Sequence, residues 1–241
     1  MTLFFFGDSY TYGSGLRDCF DKDNCVGPVH SQWAFPTLVA ATMNLPYKNL
    51  GIPGASNQQI FQSIRVSNIK PDDVAIICWT YWHRNYAFTA DGQKQISVYS
   101  KDCEPFYAIY DNTALHYTNL LTIEHTNLWL RHKSIPSLNF SIKDQDCKQA
   151  NAYMLDFMER HAVDRTLDRH FGESSHAIWA ALLSEYIAAN ILLRRIDSID
   201  YVSNQDLQWI GSQYPRVRDS QRILQRARIM HDHERDHWQN I

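Results

Sequence analysis

Strong net charge and long hydrophobic runs are both missing from this chain of 241 residues. A net charge of −3 gives no field that would attract a nucleic acid or an anionic membrane surface. No stretch approaches the roughly 20 apolar residues that span a membrane, and the short apolar run at the N-terminus lacks the basic leader of a signal peptide. We therefore expect a soluble protein, cytoplasmic by default, without nucleic-acid or membrane partners.

A regular cysteine pattern is also absent. The five cysteines show neither a Cys-x-x-Cys motif nor the spacing of zinc ligands, so reduced, structural thiols are expected. Only Cys19 and Cys25 are close enough in sequence to bridge, and only in an oxidising compartment. Three histidines near the C-terminus (His231, His233 and His237) could bind a metal, but a polar terminus offers no buried groups to orient them. No metal or organic cofactor is predicted.

Apolar residues make up 44% of the chain, enough for a sizeable core. Three short apolar runs, at residues 3–6, 47–52 and 73–79, predict buried strands. Their hydrophobicity is continuous, which is typical of strands covered on both faces in a parallel sheet. Residues 31–45 and 56–69, which lie between the runs, have apolar side chains at helical spacing. This alternation predicts an α/β fold with a central parallel sheet.

Polar residues interrupt the alternation after the third strand. Residues 85–99 predict a β-hairpin that turns on Asp91 and Gly92, followed by a loop to about residue 112. Such an insertion follows the carboxyl end of a strand, where α/β proteins place their ligands. Four further elements are predicted: a helix over 113–132, a strand over 134–140, and helices over 148–161 and 174–196.

The composition changes again near residue 197, where the chain becomes polar and basic. We predict one domain over residues 1–196, with the insertion at about 86–112, and a helical and polar appendage over residues 197–241. The basic residues of this appendage recur at helical spacing on one stripe, which is typical of a solvated helix face. The appendage could also bind a protein partner.

Ser9 follows the first predicted strand by two residues, after Gly7 and Asp8. Its hydroxyl would project beyond the carboxyl end of the strand, at a helix N-terminus that favours negative charge. Taken alone, the position is more typical of a helix N-cap. A nucleophilic serine needs a base with an orienting carboxylate, and the best candidates are Asp168 and His170, just before the longest C-terminal helix.

The segment "NLGIPGASN" follows the second predicted strand at residues 49–57. Gly51 and Gly54 stand on either side of Pro53, and a glycine there allows a backbone N–H to approach a ligand. A simple strand-to-helix turn would use the same residues.

Together these segments resemble the SGNH, or GDSL-type, hydrolase family. "FFFGDSYTYG" is similar to its first block, "NLGIPGASN" to its second and "DRHFGESSHAIWA" to its last, in order over residues 2–195. The resemblance implies a flavodoxin-like three-layer α/β/α sandwich and ester hydrolysis without a cofactor. It makes Ser9 the nucleophile, His170 the base and Asp168 the acid that orients the base. The N–H groups of Ser9 and Gly54 become oxyanion donors.

Two motifs depart from the family. Its third block is Gly-x-Asn-Asp, with the asparagine as a third oxyanion donor, whereas this chain has "CWTYWHRN". Four residues could replace that donor: Thr80 or Asn85, and also Tyr81 or His83. The last block is one residue shorter than the family's Asp-x-x-His, and His176 is an alternative base.

Two functions follow from these residues. The first is a serine esterase that hydrolyses a carboxylic ester, with a small molecule or an O-acylated carbohydrate as substrate. The second is a binding or structural protein on the same scaffold, catalytically weak or inactive, because the loss of one oxyanion donor can cost about 2.7 to 4 kcal/mol of transition-state stabilisation.

Overall fold

The computed structural model describes residues 1–20, 26–89, 92–96, 104–109, 112–142, 152–154, 164–166 and 170–188. The strands are β1 (Leu3–Gly7), β2 (Tyr47–Gly51), β3 (Val74–Trp79), β4 (Asn85–Thr89), β5 (Gly92–Ile96), β6 (Ser137–Ser141) and β7 (Ala152–Tyr153). The helices are α1 (Ser9–Tyr12), α2 (Phe35–Met43), α3 (Asn57–Val66), α4 (Glu104–Ile109), α5 (Asn112–His132) and α6 (Glu173–Ile187). The predicted appendage over residues 197–241 lies outside the described residues.

Five strands form a parallel sheet in the order β2-β1-β3-β6-β7. In β1, Leu3 and Phe5 join the core on one face, and Phe4 and Phe6 join the core on the other. Burial on both faces explains why the strand is apolar without alternation. The predicted parallel sheet is confirmed.

Helices cover both faces of this sheet. On one face α2 and α6 contribute core residues, among them Phe35, Val39, Trp179 and Leu183. On the other face α3 and α5 contribute Ile60, Ile64, Ile123 and Leu130. The three-layer α/β/α arrangement is therefore confirmed.

The strand order reverses beside the end of β1. The chain passes from β1 to β2 on one side, and then crosses to β3 on the other side of β1. Ligands of open α/β sheets bind at such a reversal, outside the carboxyl ends of the strands. Ser9, which follows β1, lies at this edge.

Two glycines let α1 pack directly onto the strand ends. A Cβ on Gly7 would lie 2.1 Å from Thr11 Oγ1, and a Cβ on Gly51 would lie 2.6 Å from the backbone nitrogen of Tyr12. Any larger residue at either position would push α1 away from the sheet. The two glycines are therefore required by packing beside Ser9.

The hairpin prediction is confirmed, because β4 and β5 pair antiparallel with Thr89 opposite Gly92. Two other predictions are wrong. Residues 104–109 form α4 within the predicted loop. Of the predicted helix over 148–161 the structure describes only residues 152–154, and there Ala152–Tyr153 form β7, because they pair with the edge of β6. That pairing is a tertiary contact, which outweighs local propensity.

The start of α2 also differs from the prediction. The helix begins at Phe35, with Pro36 in its first turn, where proline is well tolerated. Ser31, where the segment with helical spacing begins, lies in the preceding turn, where its hydroxyl oxygen accepts the Trp33 N–H at 2.9 Å and its O–H donates to Asp18.

Cys19 and Cys78 are buried. Cys25, which the spacing allows as a disulfide partner of Cys19, lies outside the described residues. Among the described residues, no helix is both long and apolar enough to cross a bilayer.

The variant Gly51→Ala tests the packing of α1. The added methyl group collides with backbone at Tyr12, which cannot rotate away, so the free energy of unfolding should fall by about 1 to 3 kcal/mol. Urea unfolding measures the change. Thr42→Ala, on the exposed surface of α2, is the control and should stay within about 0.5 kcal/mol of the wild type. Equal stability of Gly51→Ala and the wild type would contradict the packing argument.

Candidate active site

Ser9 begins α1 directly after the carboxyl end of β1. Asp8 is the N-cap of this helix, and its carboxylate accepts the Tyr10 N–H at 3.1 Å. The N–H of the first helical residue has no acceptor within its own helix. Ser9 therefore places a hydroxyl and a backbone donor at one point, and the residue is only 6% exposed.

The base predicted from the sequence lies against this serine. His170 Nε2 is 2.9 Å from Ser9 Oγ, the hydrogen-bond distance expected between a nucleophile and its general base. The two residues are 161 positions apart in the chain. The structure thus brings Ser9 and His170 together, while Asp168 lies outside the described residues.

His170 is fixed by short-range contacts on either side of it. The N–H of Thr166 donates to the carbonyl of His170 at 2.9 Å, and Arg165 and Phe171 form an antiparallel bridge. The Arg165 guanidinium lies 4.8 Å from the Phe171 ring centre. The imidazole is therefore presented from a narrow chain reversal just before α6.

Asp164 anchors this reversal to the start of α6. Its carboxylate accepts the N–H groups of Ser174 and Ser175, both at 2.9 Å, which satisfies two of the four N–H groups left open at a helix N-terminus. A Cβ on Gly172 would lie 2.4 Å from the Asp164 carboxylate, so the residue there has to be glycine. Asp164 therefore positions the His170 segment.

Gly54 has a left-handed backbone with a φ of 73°, which glycine adopts at little cost. A Cβ there would lie 2.9 Å from Gln95 Oε1 of the hairpin. The same Gln95 side chain donates from Nε2 to the carbonyl of Pro53 at 3.3 Å. The hairpin β4–β5 therefore reaches over the loop that carries the second predicted oxyanion donor.

The third block is joined to the first through a buried charge. Asp8 is fully buried, and its Oδ2 accepts the hydroxyl of Thr80 at 2.9 Å and Arg84 Nη1 at 2.6 Å. A carboxylate without water needs such partners to stay charged. The loop after β3 is thus fixed beside the residue that precedes Ser9.

The third block is joined to the second block as well. Asn57 accepts the Thr80 N–H at 2.8 Å and donates from Nδ2 to the Thr80 carbonyl at 3.0 Å. Asn57 Nδ2 also donates to Asn119 of α5. Asn57 follows Gly54 by three residues, so Thr80 is hydrogen-bonded to a residue beside Ser9 and to one near Gly54, the two predicted oxyanion donors.

The two main candidates for a third donor have different surroundings. Both protons of Thr80 already have acceptors, the N–H on Asn57 and the hydroxyl on Asp8. Asn85 is 6% exposed and accepts Gln58 Nε2 at 3.4 Å. Its own Nδ2 has no hydrogen-bond partner among the described residues. Of the two, only Asn85 keeps an unbonded donor, on an atom that is buried.

Aromatic side chains continue the site beside His170. The Tyr10 ring centre lies 5.0 Å from the His170 ring centre, and burial, with the nearby Tyr81, raises the pKa of Tyr10 well above its ordinary value. The Arg84 guanidinium lies 5.1 Å from the Tyr81 ring centre. Burial and the charge of Arg84 lower the pKa of His83, so this residue stays neutral near pH 7.

The alternative base, His176, lies in the core. It is 1% exposed, and its Nδ1 accepts the Phe35 N–H at 3.1 Å at the start of α2. Burial lowers the pKa of His176 to about 4. Its lone pair therefore holds α2 against α6.

Three residues of the site are not singled out by the sequence motifs. Asn57 lies within "NLGIPGASN" and Arg84 within "CWTYWHRN", but nothing in the neighbouring sequence indicates that they link loops through hydrogen bonds. Asp164 precedes the last segment and has no sequence signal of its own.

No family model and no curated protein matches the chain. Solved structures that it resembles include the acetyl xylan esterase Est2A of Butyrivibrio proteoclasticus, at 14% identity and a TM-score of 0.47. That match covers 78% of this chain and 63% of the esterase. A lipolytic protein of the G-D-S-L family from Veillonella parvula matches at 14% identity and a TM-score of 0.42, over 80% of this chain and 99% of the other.

A family two carbohydrate esterase from Clostridium thermocellum, in complex with cellohexaose, matches at 12% identity and a TM-score of 0.47. That match covers 78% of this chain and 63% of the esterase. The chain therefore spans less than two thirds of this esterase and of Est2A. These structural neighbours include proteins described as members of the G-D-S-L family.

The lowered pKa of the buried His176 should make the free energy of unfolding depend on pH. This pKa is about 4 in the folded chain and about 6.5 in an unfolded one. Between these values only the unfolded chain binds the proton, so the free energy of unfolding should fall as the pH drops from 6.5 to 4. Urea unfolding at pH 7, 5.5 and 4.5 measures the slope.

The control variant is His176→Asn, whose Oδ1 can still accept the Phe35 N–H but does not titrate. Its stability should depend less on pH across the same window. An unchanged slope in the variant would show that another group causes the loss of stability.

Proposed function

We propose that the protein is a serine esterase in which Ser9 is the nucleophile and His170 the general base. The observation that carries this proposal is the 2.9 Å contact between Ser9 Oγ and His170 Nε2 at the ligand-binding edge of the sheet. A carboxylic ester fits this pair, because the serine can attack its carbonyl carbon while the histidine takes the serine proton.

The reaction would proceed in two halves. Ser9 Oγ bonds to the carbonyl carbon as His170 removes its proton, and the N–H groups of Ser9 and Gly54 donate to the oxyanion. The imidazolium of His170 then protonates the departing alcohol, which leaves an acyl group on Ser9. A water molecule, deprotonated by His170, attacks the carbonyl carbon of this acyl-enzyme. His170 returns the proton to Ser9 Oγ as the bond to the acyl group breaks and the acid is released. Asp168 would hold the imidazole in the required tautomer.

An O-acylated carbohydrate is the substrate class that we favour. The ring of Tyr10 lies beside His170, with Tyr81 next to Tyr10, and aromatic rings offer flat apolar faces with a polar tip. A protein partner for the appendage over residues 197–241 remains a prediction from the sequence.

A second candidate function is a binding or structural protein on the same scaffold. It is favoured by the third block, in which the asparagine donor of the family is missing and both Thr80 protons have other acceptors. This function predicts a wild-type protein that hydrolyses neither p-nitrophenyl acetate nor a panel of acylated sugars.

Substitution of the catalytic pair separates the two functions. Ser9→Ala should abolish labelling by a fluorophosphonate probe and hydrolysis of p-nitrophenyl acetate, because no nucleophile remains. His170→Ala should lower kcat by about 10²- to 10⁴-fold, the contribution of a general base. Circular dichroism and thermal unfolding check that both variants fold. Hydrolysis that survives in Ser9→Ala would contradict the proposal.

Two aspartates allow a matched test of the orienting acid. Asp168→Asn should lower kcat by about 10⁴-fold, because the imidazole is held in the wrong tautomer, with little change in thermal stability. Asp164→Asn should instead lower stability by about 1 to 3 kcal/mol, because both carboxylate oxygens accept a backbone N–H and the amide nitrogen of asparagine cannot accept one. Steady-state kinetics and thermal unfolding are measured on both. Unchanged kcat in Asp168→Asn would exclude this residue as the acid.

A further inference from the structure

We propose that Arg84 supplies the third oxyanion donor, with its guanidinium donating to the carbonyl oxygen of the ester as negative charge develops there. The inference rests on the proposed esterase function, and it assigns the role that an asparagine has in the family that the sequence resembles. The local sequence does not suggest it.

The first support is the position of Arg84 relative to the nucleophile. Its Nη1 lies 2.6 Å from Asp8 Oδ2 and 2.9 Å from Thr80 Oγ1. Asp8 is the N-cap of the helix that begins at Ser9. The guanidinium is therefore bonded to the residue next to the nucleophile, although the two partners are 76 positions apart in the chain.

The second support is the link to the other donor loop. Arg84 Nη1 also donates to Thr80 Oγ1. The backbone N–H and carbonyl of Thr80 are both hydrogen-bonded to the side chain of Asn57. Asn57 follows Gly54 by three residues. Thr80, which accepts a hydrogen bond from Arg84, is thus bonded both to Asp8, beside Ser9, and to Asn57, close to Gly54.

The third support is the number of donors left over. A guanidinium has five N–H groups, and the hydrogen bonds of Arg84 to described residues come from Nη1 alone. Its side chain is only 16% exposed. Donors on Nε and Nη2 thus remain for a substrate, in a largely buried setting where hydrogen bonds to a developing charge are strongest.

Charge balance also fits this role. An unpaired arginine beside the site would oppose the imidazolium that forms on His170. The buried carboxylate of Asp8 neutralises Arg84, and the guanidinium still donates charge-assisted hydrogen bonds.

Asn85 is the competing donor. Its Nδ2 has no partner among the described residues, but that atom is closed off from solvent. Its contact is with Gln58 on α3, whereas Arg84 is bonded to Asp8 and Thr80. We therefore favour Arg84, and an Asn85→Ala variant decides between them.

The test compares Arg84→Gln with the wild type on p-nitrophenyl acetate, a neutral ester that needs no cation for binding. We expect kcat to fall by about 10²- to 10³-fold, as for other oxyanion donors, with KM little changed and an unaltered pH profile. Asn85→Ala should retain most of the activity. Arg65→Gln, on the exposed end of α3, is the control for the loss of an arginine and should be fully active.

A double variant separates catalysis from the support of a buried charge. Arg84→Gln alone leaves Asp8 without its cation and should lower the melting temperature. In Asp8→Asn/Arg84→Gln both charges are gone, and asparagine is still a good N-cap, so stability should recover while kcat stays low. Recovery of kcat together with stability would show that Arg84 is only a counter-ion, and would overturn the inference.

Two further results would also overturn it: kcat of Arg84→Gln within threefold of the wild type, or a large loss in Asn85→Ala in its place. In either case hydrolysis that depends on Ser9 would leave the proposed function standing. A wild-type protein that is inert towards p-nitrophenyl acetate, acylated sugars and the fluorophosphonate probe would instead overturn the proposed function, and the inference with it.

Discussion

The candidate site depends on one buried carboxylate. Asp8 is fully buried, and a charge without water is tolerated only when hydrogen bonds replace its hydration. The backbone of Tyr10, the hydroxyl of Thr80 and the guanidinium of Arg84 provide these bonds. Folding cannot bury Asp8 without gathering the start of α1 and the loop after β3, and the same step places Ser9 at the edge of the sheet.

The sequence predicts the sheet well, because strands that are buried on both faces are apolar along their whole length. Strands such as β1 and β3 are continuous apolar runs, and their helices repeat at the helical period. It fails for α4 and for β7, whose two residues pair with the edge of β6. So short a strand carries no periodicity, and its conformation is set by the partner strand.

The site shows the same difference between residues that the sequence predicts and residues that it does not. Ser9, Gly54 and His170 were predicted because each stands in a recognisable segment next to a strand or helix end. Arg84 and Asp164 were not, because their importance lies in what they bond. Arg84 meets a carboxylate 76 positions earlier, and Asp164 caps a helix that begins nine residues later, across a chain reversal. Spacing in sequence does not encode such partners.

Two histidines in the last segment show how environment decides the role of a residue. His176 is enclosed in the core, where burial lowers its pKa to about 4 and its lone pair accepts a backbone N–H of α2. His170, six residues earlier, is half-buried at the sheet edge, with Nε2 against Ser9. A general base needs an accessible lone pair next to the proton that it removes. Of the two, His170 meets that condition, because α6 begins only at Glu173 and leaves His170 in the segment before the helix.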